Sequence, residues 1–125
     1  MKNISFSDLL GQTLRGVTGE VGGLSIIFTT VDGKTYQLYH DQSCCEIVTI
    51  DDICGELSDL VGSPITQAEE NSSRNENPPG ITSVVYYGSF TWTFYRIATA
   101  KGQVVIRWYG ESNGYYSEDV YFRQL

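Results

Sequence analysis

The sequence predicts an α+β fold: a mostly antiparallel, twisted sheet of hairpins with one main α-helix, at about residues 51–60, packed on it. Three observations carry that expectation. Apolar and polar residues alternate in short runs such as Lys34-Thr35-Tyr36-Gln37-Leu38-Tyr39. The dipeptides Asp32-Gly33, Lys101-Gly102 and Asn113-Gly114 separate such runs as tight turns. Ile53, Leu57 and Leu60 recur at helical spacing behind Asp51-Asp52, where acids favour a helix start, and Gly62 with Pro64 stops the element.

Taken in order, Phe6–Leu10 opens as a helical turn before Gly11, and residues 13–17 and 24–30 read as strands. Asp32-Gly33 is a type I′ hairpin signal with residues 34–39 on its far side, and residues 45–50 form a short strand leading into the helix. Residues 65–70 read as a strand. Residues 71–80, with Pro78-Pro79-Gly80, form a loop expected to be mobile. Three strand-like stretches close the chain: residues 83–87 leading into 89–100, then 103–109 and 115–123. At 125 residues, without an internal repeat or a linker, one domain over residues 1–125 is expected.

Charge narrows the partners. The chain carries 8 Lys and Arg against 15 Asp and Glu, a net −7. Residues 41–76 hold nine acids and one base, Arg74, so the acidity is concentrated there. Neither DNA, RNA nor an anionic membrane surface is attracted to such a field. No apolar run approaches the roughly 18 residues of a membrane span. The opening Met1-Lys2-Asn3-Ile4 lacks the apolar stretch of a secretion signal, so a cytoplasmic location is expected.

The three cysteines, Cys44, Cys45 and Cys54, are odd in number, which argues against a disulfide framework. Adjacent cysteines rarely bridge to each other, so buried free thiols are expected. His40, Cys44, Cys45 and Cys54 fit no standard zinc spacing, and neither a metal nor a cofactor is expected. His40 is the one histidine, and no nucleophile signature surrounds it. Gly19-Glu20-Val21-Gly22-Gly23 lies between strands and opens no helix, so it is not a phosphate-cradling loop. Catalysis is therefore not expected.

The last hairpins supply the candidate site. If Lys101-Gly102 is a two-residue loop, Ala100 pairs with Gln103, and Arg96 then faces Arg107, Phe94 faces Tyr109 and Trp92 faces Glu111. Tyr95, Ile97, Ile106 and Trp108 take the opposite, core-facing side. A second two-residue loop at Asn113-Gly114 sets Tyr109 against Glu118 and Arg107 against Val120. Two arginines in direct opposition repel, so an anion is expected beside them. It is either internal, from Glu118 or a carboxylate of residues 51–59, or a bound phosphate or carboxylate. In the second case Trp92, Phe94 and Tyr109 would stack a flat ring beside the guanidinium forks. Asn113, Tyr115 and Tyr116 in the loop after residue 109, and His40 at the end of the second hairpin, are further candidate contacts. Plain turn chemistry is the alternative for Asn113 and His40.

Several blocks also resemble a known family. They are His40-Asp41-Gln42-Ser43-Cys44-Cys45-Glu46, Gly55-Glu56-Leu57, Leu60-Val61-Gly62-Ser63-Pro64-Ile65, Ser89-Phe90-Thr91-Trp92-Thr93-Phe94-Tyr95 and the run from Ile106 through Trp108, Asn113 and Tyr116 to Glu118. Over about residues 9–123 the chain is similar to small proteins encoded by phages and prophages, a domain of unknown function. The resemblance implies a genomic setting in which small proteins often act against host defence. The expectation that follows is a homo-oligomeric binder in the host cytoplasm that sequesters a small nucleotide-derived immune signal, of ADP-ribose or cyclic-nucleotide type, without cleaving it. The alternative is an acidic inhibitor that grips a host defence protein through residues 41–76.

Overall fold

The structure, a computed structural model, describes residues 2–81 and 88–125. Among the described residues nine strands form two antiparallel sheets. They are β1 Lys2–Asn3, β2 Leu14–Thr18, β3 Ser25–Thr30, β4 Thr35–Tyr39, β5 Ile47–Cys54, β6 Gln67–Arg74, β7 Ser89–Thr99, β8 Gly102–Ser112 and β9 Tyr121–Gln124. One sheet has the order β1-β9-β4-β3-β2 and the other β5-β8-β7-β6. Two single 3-10 turns, Phe6–Leu9 and Leu57–Leu60, complete the described elements.

The α+β expectation is thereby corrected: the fold is nearly all β, and no main helix exists at residues 51–60. Asp51–Cys54 finish strand β5, and Gly55, at φ 110°, breaks the chain before the Leu57–Leu60 turn. Ile53, Leu57 and Leu60 recur at helical intervals because a strand end and a 3-10 turn both press on the same core. Spacing alone does not separate that arrangement from a helix face.

The core explains the two layers. Tyr95, Ile97, Val104, Ile106 and Trp108 from β7 and β8, and Ile26, Phe28 and Leu38 from β3 and β4, are all fully buried in one cluster. Alternate residues of each strand supply this cluster, the period-two pattern of a sheet with one buried face. Phe6 stands between the layers, its ring 4.8 Å from Tyr95 and 6.1 Å from Phe28 in edge-on contacts.

Three further readings change. The β7–β8 loop is Ala100-Lys101, because Thr99 pairs with Gly102 and Ala98 with Gln103. This register lies two residues from the expected one. An even slip keeps every side chain on its expected face, whereas a slip by one would have exchanged them. Residues 115–123 do not form a third strand beside β8. Instead β9 joins the other sheet, between β1 and β4, and the second neighbour of β8 is β5. Tyr109 therefore faces Thr49, and Arg107 faces Asp52, in place of Glu118 and Val120. Residues 71–74, expected in the 71–80 loop, continue β6 and pair with β7. The strand expected at residues 83–87 lies outside the described residues.

Candidate functional site

The face of the four-stranded sheet turned away from the core carries the candidate site. Even-numbered residues of β7 and odd-numbered residues of β8 point there, since their neighbours point inward. Arg107 faces Phe94 and Arg96 faces Val105, so the two arginines are diagonal neighbours instead of direct opposites. Diagonal positions on adjacent strands lie about 7–8 Å apart, which relieves the repulsion expected of a direct pair.

Arg107 is answered from within the protein. Its Nε donates to Asp51 Oδ2 at 2.8 Å and its Nη2 lies 2.5 Å from the same oxygen. A bulge between Ile50 and Asp52 in β5 sets Asp51 outside the regular ladder, where it reaches across to the guanidinium. Of the internal candidates the sequence offered, a carboxylate of residues 51–59 fills the role and Glu118 does not. The Arg107 guanidinium also lies 5.3 Å from the Trp92 ring, which in turn contacts Tyr109 at 4.6 Å. Tyr109 donates its hydroxyl to Glu111 at 3.1 Å.

Trp92 itself is buried, 4% exposed, and its indole N–H donates to Asn77 Oδ1 at 3.1 Å. Asn77 thus reaches Trp92 from beyond the end of β6, and Asn75 Oδ1 accepts the Phe90 amide at 3.0 Å. Trp92 serves as the floor of the cluster, not as an open stacking surface. Arg96 is different. Its guanidinium rests 5.7 Å from the Phe94 ring, and among the described residues no carboxylate lies within salt-bridge distance of it. Glu69 is opposite Arg96 in the ladder, but its carboxylate accepts from Gln67 Nε2 at 2.5 Å, and Gln67 accepts from Gln103 at 2.6 Å.

The structure therefore brings together Arg96, Arg107, Trp92, Phe94 and Tyr109. Asn113, Tyr115 and Tyr116 follow the far end of β8 from Arg96, and His40 makes its contacts with Glu46, Asp119 and Tyr121. The rung of Arg96 meets β8 at Val105, seven residues from Ser112, a span of about 23 Å at strand rise. Asn113 caps its own turn, accepting the Tyr115 amide at 2.9 Å. Tyr115 and Tyr116 pack edge-on to each other at 5.2 Å, with Tyr115 84% exposed.

His40 belongs to a second cluster at the end of β4. Its Nε2 lies 2.7 Å from Glu46 Oε2 and its Nδ1 2.7 Å from the Asp119 carbonyl, with both the His40 and Glu46 side chains buried. The amides of Ser43 and Cys44 each donate to Glu46 at 2.9 Å. Burial pushes the Glu46 carboxyl up, but the Cys44 and Ser43 amides and the His40 ring outweigh it and hold the carboxyl at about 2. Two cysteine expectations are corrected here. Cys44 and Cys45 are joined to each other in a disulfide, and none of the three cysteines is a buried thiol, since all are exposed and Cys54 is the free one. A tight loop with its amides turned onto one carboxylate sets the backbone of the two adjacent residues, which sequence adjacency alone could not indicate. Glu46 was missed by sequence reasoning. Its position six residues after the single histidine, across the two cysteines, is the signal that was available.

Glu118 forms a third polar centre. Buried at 4% exposure, it accepts hydroxyls from Ser89, from Thr91 at 2.8 Å and from Ser112 at 2.5 Å. Among the described residues no group of three or more His, Cys, Asp and Glu is arranged to hold a metal ion. No helix among them is long and apolar enough to cross a membrane.

A domain of unknown function (DUF7448) matches residues 7–122, and the chain belongs to that family. No curated protein and no solved structure matches it.

Proposed function

We propose that this member of the DUF7448 family is a non-catalytic binding protein for a small anionic ligand bearing a flat ring, of the nucleotide-derived class. The observation that carries the reading is Arg96. It lies on Phe94 with no carboxylate within salt-bridge distance among the described residues, its cross-strand neighbour Glu69 being held by Gln67, beside the Arg107–Trp92–Tyr109 cluster. A guanidinium resting on an aromatic ring offers its free edge to a phosphate, and the partly exposed Phe94 and Tyr109 rings, with Trp92 buried beneath, accept a base. Arg107 joins the ligand by exchanging part of its contact with Asp51, so the ligand competes with an internal carboxylate.

The finer reading is a phage-encoded protein in the host cytoplasm that sequesters an immune signal, as a homo-oligomer, without cleaving it. It rests on the sequence resemblance and on the absence of any nucleophile signature. The test is calorimetric titration with ADP-ribose and with cyclic mono- and dinucleotides, followed by heat release and mass spectrometry of the ligand. Binding of one class, lost in Arg96→Ala and with the ligand recovered intact, supports it. No heat and no melting shift with any of them, or recovery of a cleaved product, overturns it.

A second reading, inhibition of a basic host protein, is favoured by the exposure of Asp41, Asp51, Glu56, Glu69, Glu70 and Glu76. Asp51 and the Glu69–Glu70 pair lie on β5 and β6, opposite edges of one sheet, so the partner would have to straddle it. Capture of a basic protein that is released by salt, and that survives Arg96→Ala, favours this reading over the first.

A further inference from the structure

The Cys44–Cys45 bridge sits on the peptide that caps Glu46. The Cys44 amide is one of the two that hold the Glu46 carboxylate, and Gln42 Nε2 ties the same loop by donating to the Cys44 carbonyl at 3.2 Å and the Glu46 carbonyl at 2.7 Å. Glu46 holds His40, and His40 reaches the Asp119 carbonyl and stacks against Tyr121 at 6.4 Å. A short chain of polar contacts thus runs from the two sulfurs to the segment that enters β9. Both cysteines are exposed to solvent, so a soluble thiol can reach the bridge.

We propose that Cys44–Cys45 is a reversible thiol–disulfide modification site whose state is transmitted through Glu46 to His40 and the Asp119–Tyr121 segment. A thiolate of a dithiol reductant attacks one cysteine sulfur and the Sγ–Sγ bond breaks, giving a mixed disulfide and one cysteine thiol. The reductant's second thiol then displaces the other cysteine, and the reductant leaves as its own disulfide. Two electrons and two protons pass to Cys44 and Cys45. Oxidised glutathione, a disulfide, runs the exchange in reverse. Opening the bridge removes the ring that ties residues 44 and 45 together. The Cys44 amide then loses its fixed direction onto Glu46, and the carboxylate keeps fewer donors with which to orient His40. The proposal is independent of the ligand reading, because its chain of contacts uses none of Arg96, Arg107, Trp92, Phe94 and Tyr109.

The test uses the full chain with Cys54→Ser, so that only the pair can react. Alkylation followed by mass spectrometry counts free thiols in the air-oxidised protein, after dithiothreitol, and after oxidised glutathione. NMR follows the His40 imidazole and Tyr121 ring signals in the same samples. The expected result is that neither cysteine alkylates at first, both do after reduction, and neither does after reoxidation, with the His40 and Tyr121 signals moving each time. The Cys44→Ser/Cys45→Ser variant should hold those signals at their reduced positions. Alkylation of both cysteines in the air- and glutathione-oxidised samples overturns the site, and His40 and Tyr121 signals identical in both states overturn the transmission.

Discussion

Asp51 holds Arg107 through one carboxylate oxygen, which takes both Nε at 2.8 Å and Nη2 at 2.5 Å. Both side chains are partly exposed, 25% for Arg107 and 35% for Asp51, and such pairs contribute about 0–1 kcal/mol to stability. The contact matters more for charge than for stability, since it occupies one of the two guanidiniums on the Phe94 face.

Asp51→Asn should release Arg107 at little cost. Urea unfolding should show a loss below about 1 kcal/mol, while affinity for an anionic ligand rises several-fold. Arg96→Ala should leave stability near wild type and abolish binding. A large stability loss in Asp51→Asn would show that the pair is structural.

Glu46 should make the protein acid-sensitive in a defined window. Its carboxyl is lowered from 4.5 to about 2 in the folded chain, so the unfolded chain takes up the proton first as pH falls. The contribution is complete above pH 4.5 and is lost progressively as pH drops through that value toward about 2. Wild type should therefore lose its stability advantage over Glu46→Gln in that interval. Denaturant melts of both proteins across the pH series measure the difference, and parallel curves would contradict it.

Gly88 should not tolerate a side chain. Its φ is 100°, and a Cβ there would stand 2.1 Å from the Ser112 carbonyl oxygen and 2.7 Å from Asn113 Cα. Gly88→Ala should cost about 1–3 kcal/mol or more, seen as a lower melting temperature. Gly16→Ala, where nothing lies within 4 Å, is the control and should stay within about 1 kcal/mol of wild type.

Glu118 should be costly to replace with an apolar residue. Glu118→Leu leaves the hydroxyls of Ser89, Thr91 and Ser112 without their shared acceptor, a loss of about 1–3 kcal/mol or more. Glu118→Gln keeps one oxygen acceptor and should lose less. Thermal unfolding of the two variants ranks them.

Much of the β7–β8 sheet was legible because period two is robust. Tyr95, Ile97, Ile106 and Trp108 fall on the core side in any register that slips by an even number. The turn itself was misplaced, because Ala100-Lys101 carries no glycine at its centre while Gly102 stands beside it as the first residue of β8. The missing helix has a different cause: Gly55 divides Ile53 from Leu57, and the apolar interval survives the division. Asp51 was within the group of carboxylates considered for Arg107, but its reach depends on a bulge that no residue type announces. The His40–Glu46 pair was hidden because a loop, not a periodic element, folds the two together.

Strand β9 sits in the interior of the five-stranded sheet, pairing with β4 on one side and β1 on the other. It is also the last of the nine described strands to leave the ribosome. The described strands of the four-stranded sheet are all made once Ser112 is reached, whereas β1, the earliest of the described strands, has to wait for β9, the latest of them. A nascent chain halted before Tyr121 would hold one finished layer and one with its seam still open.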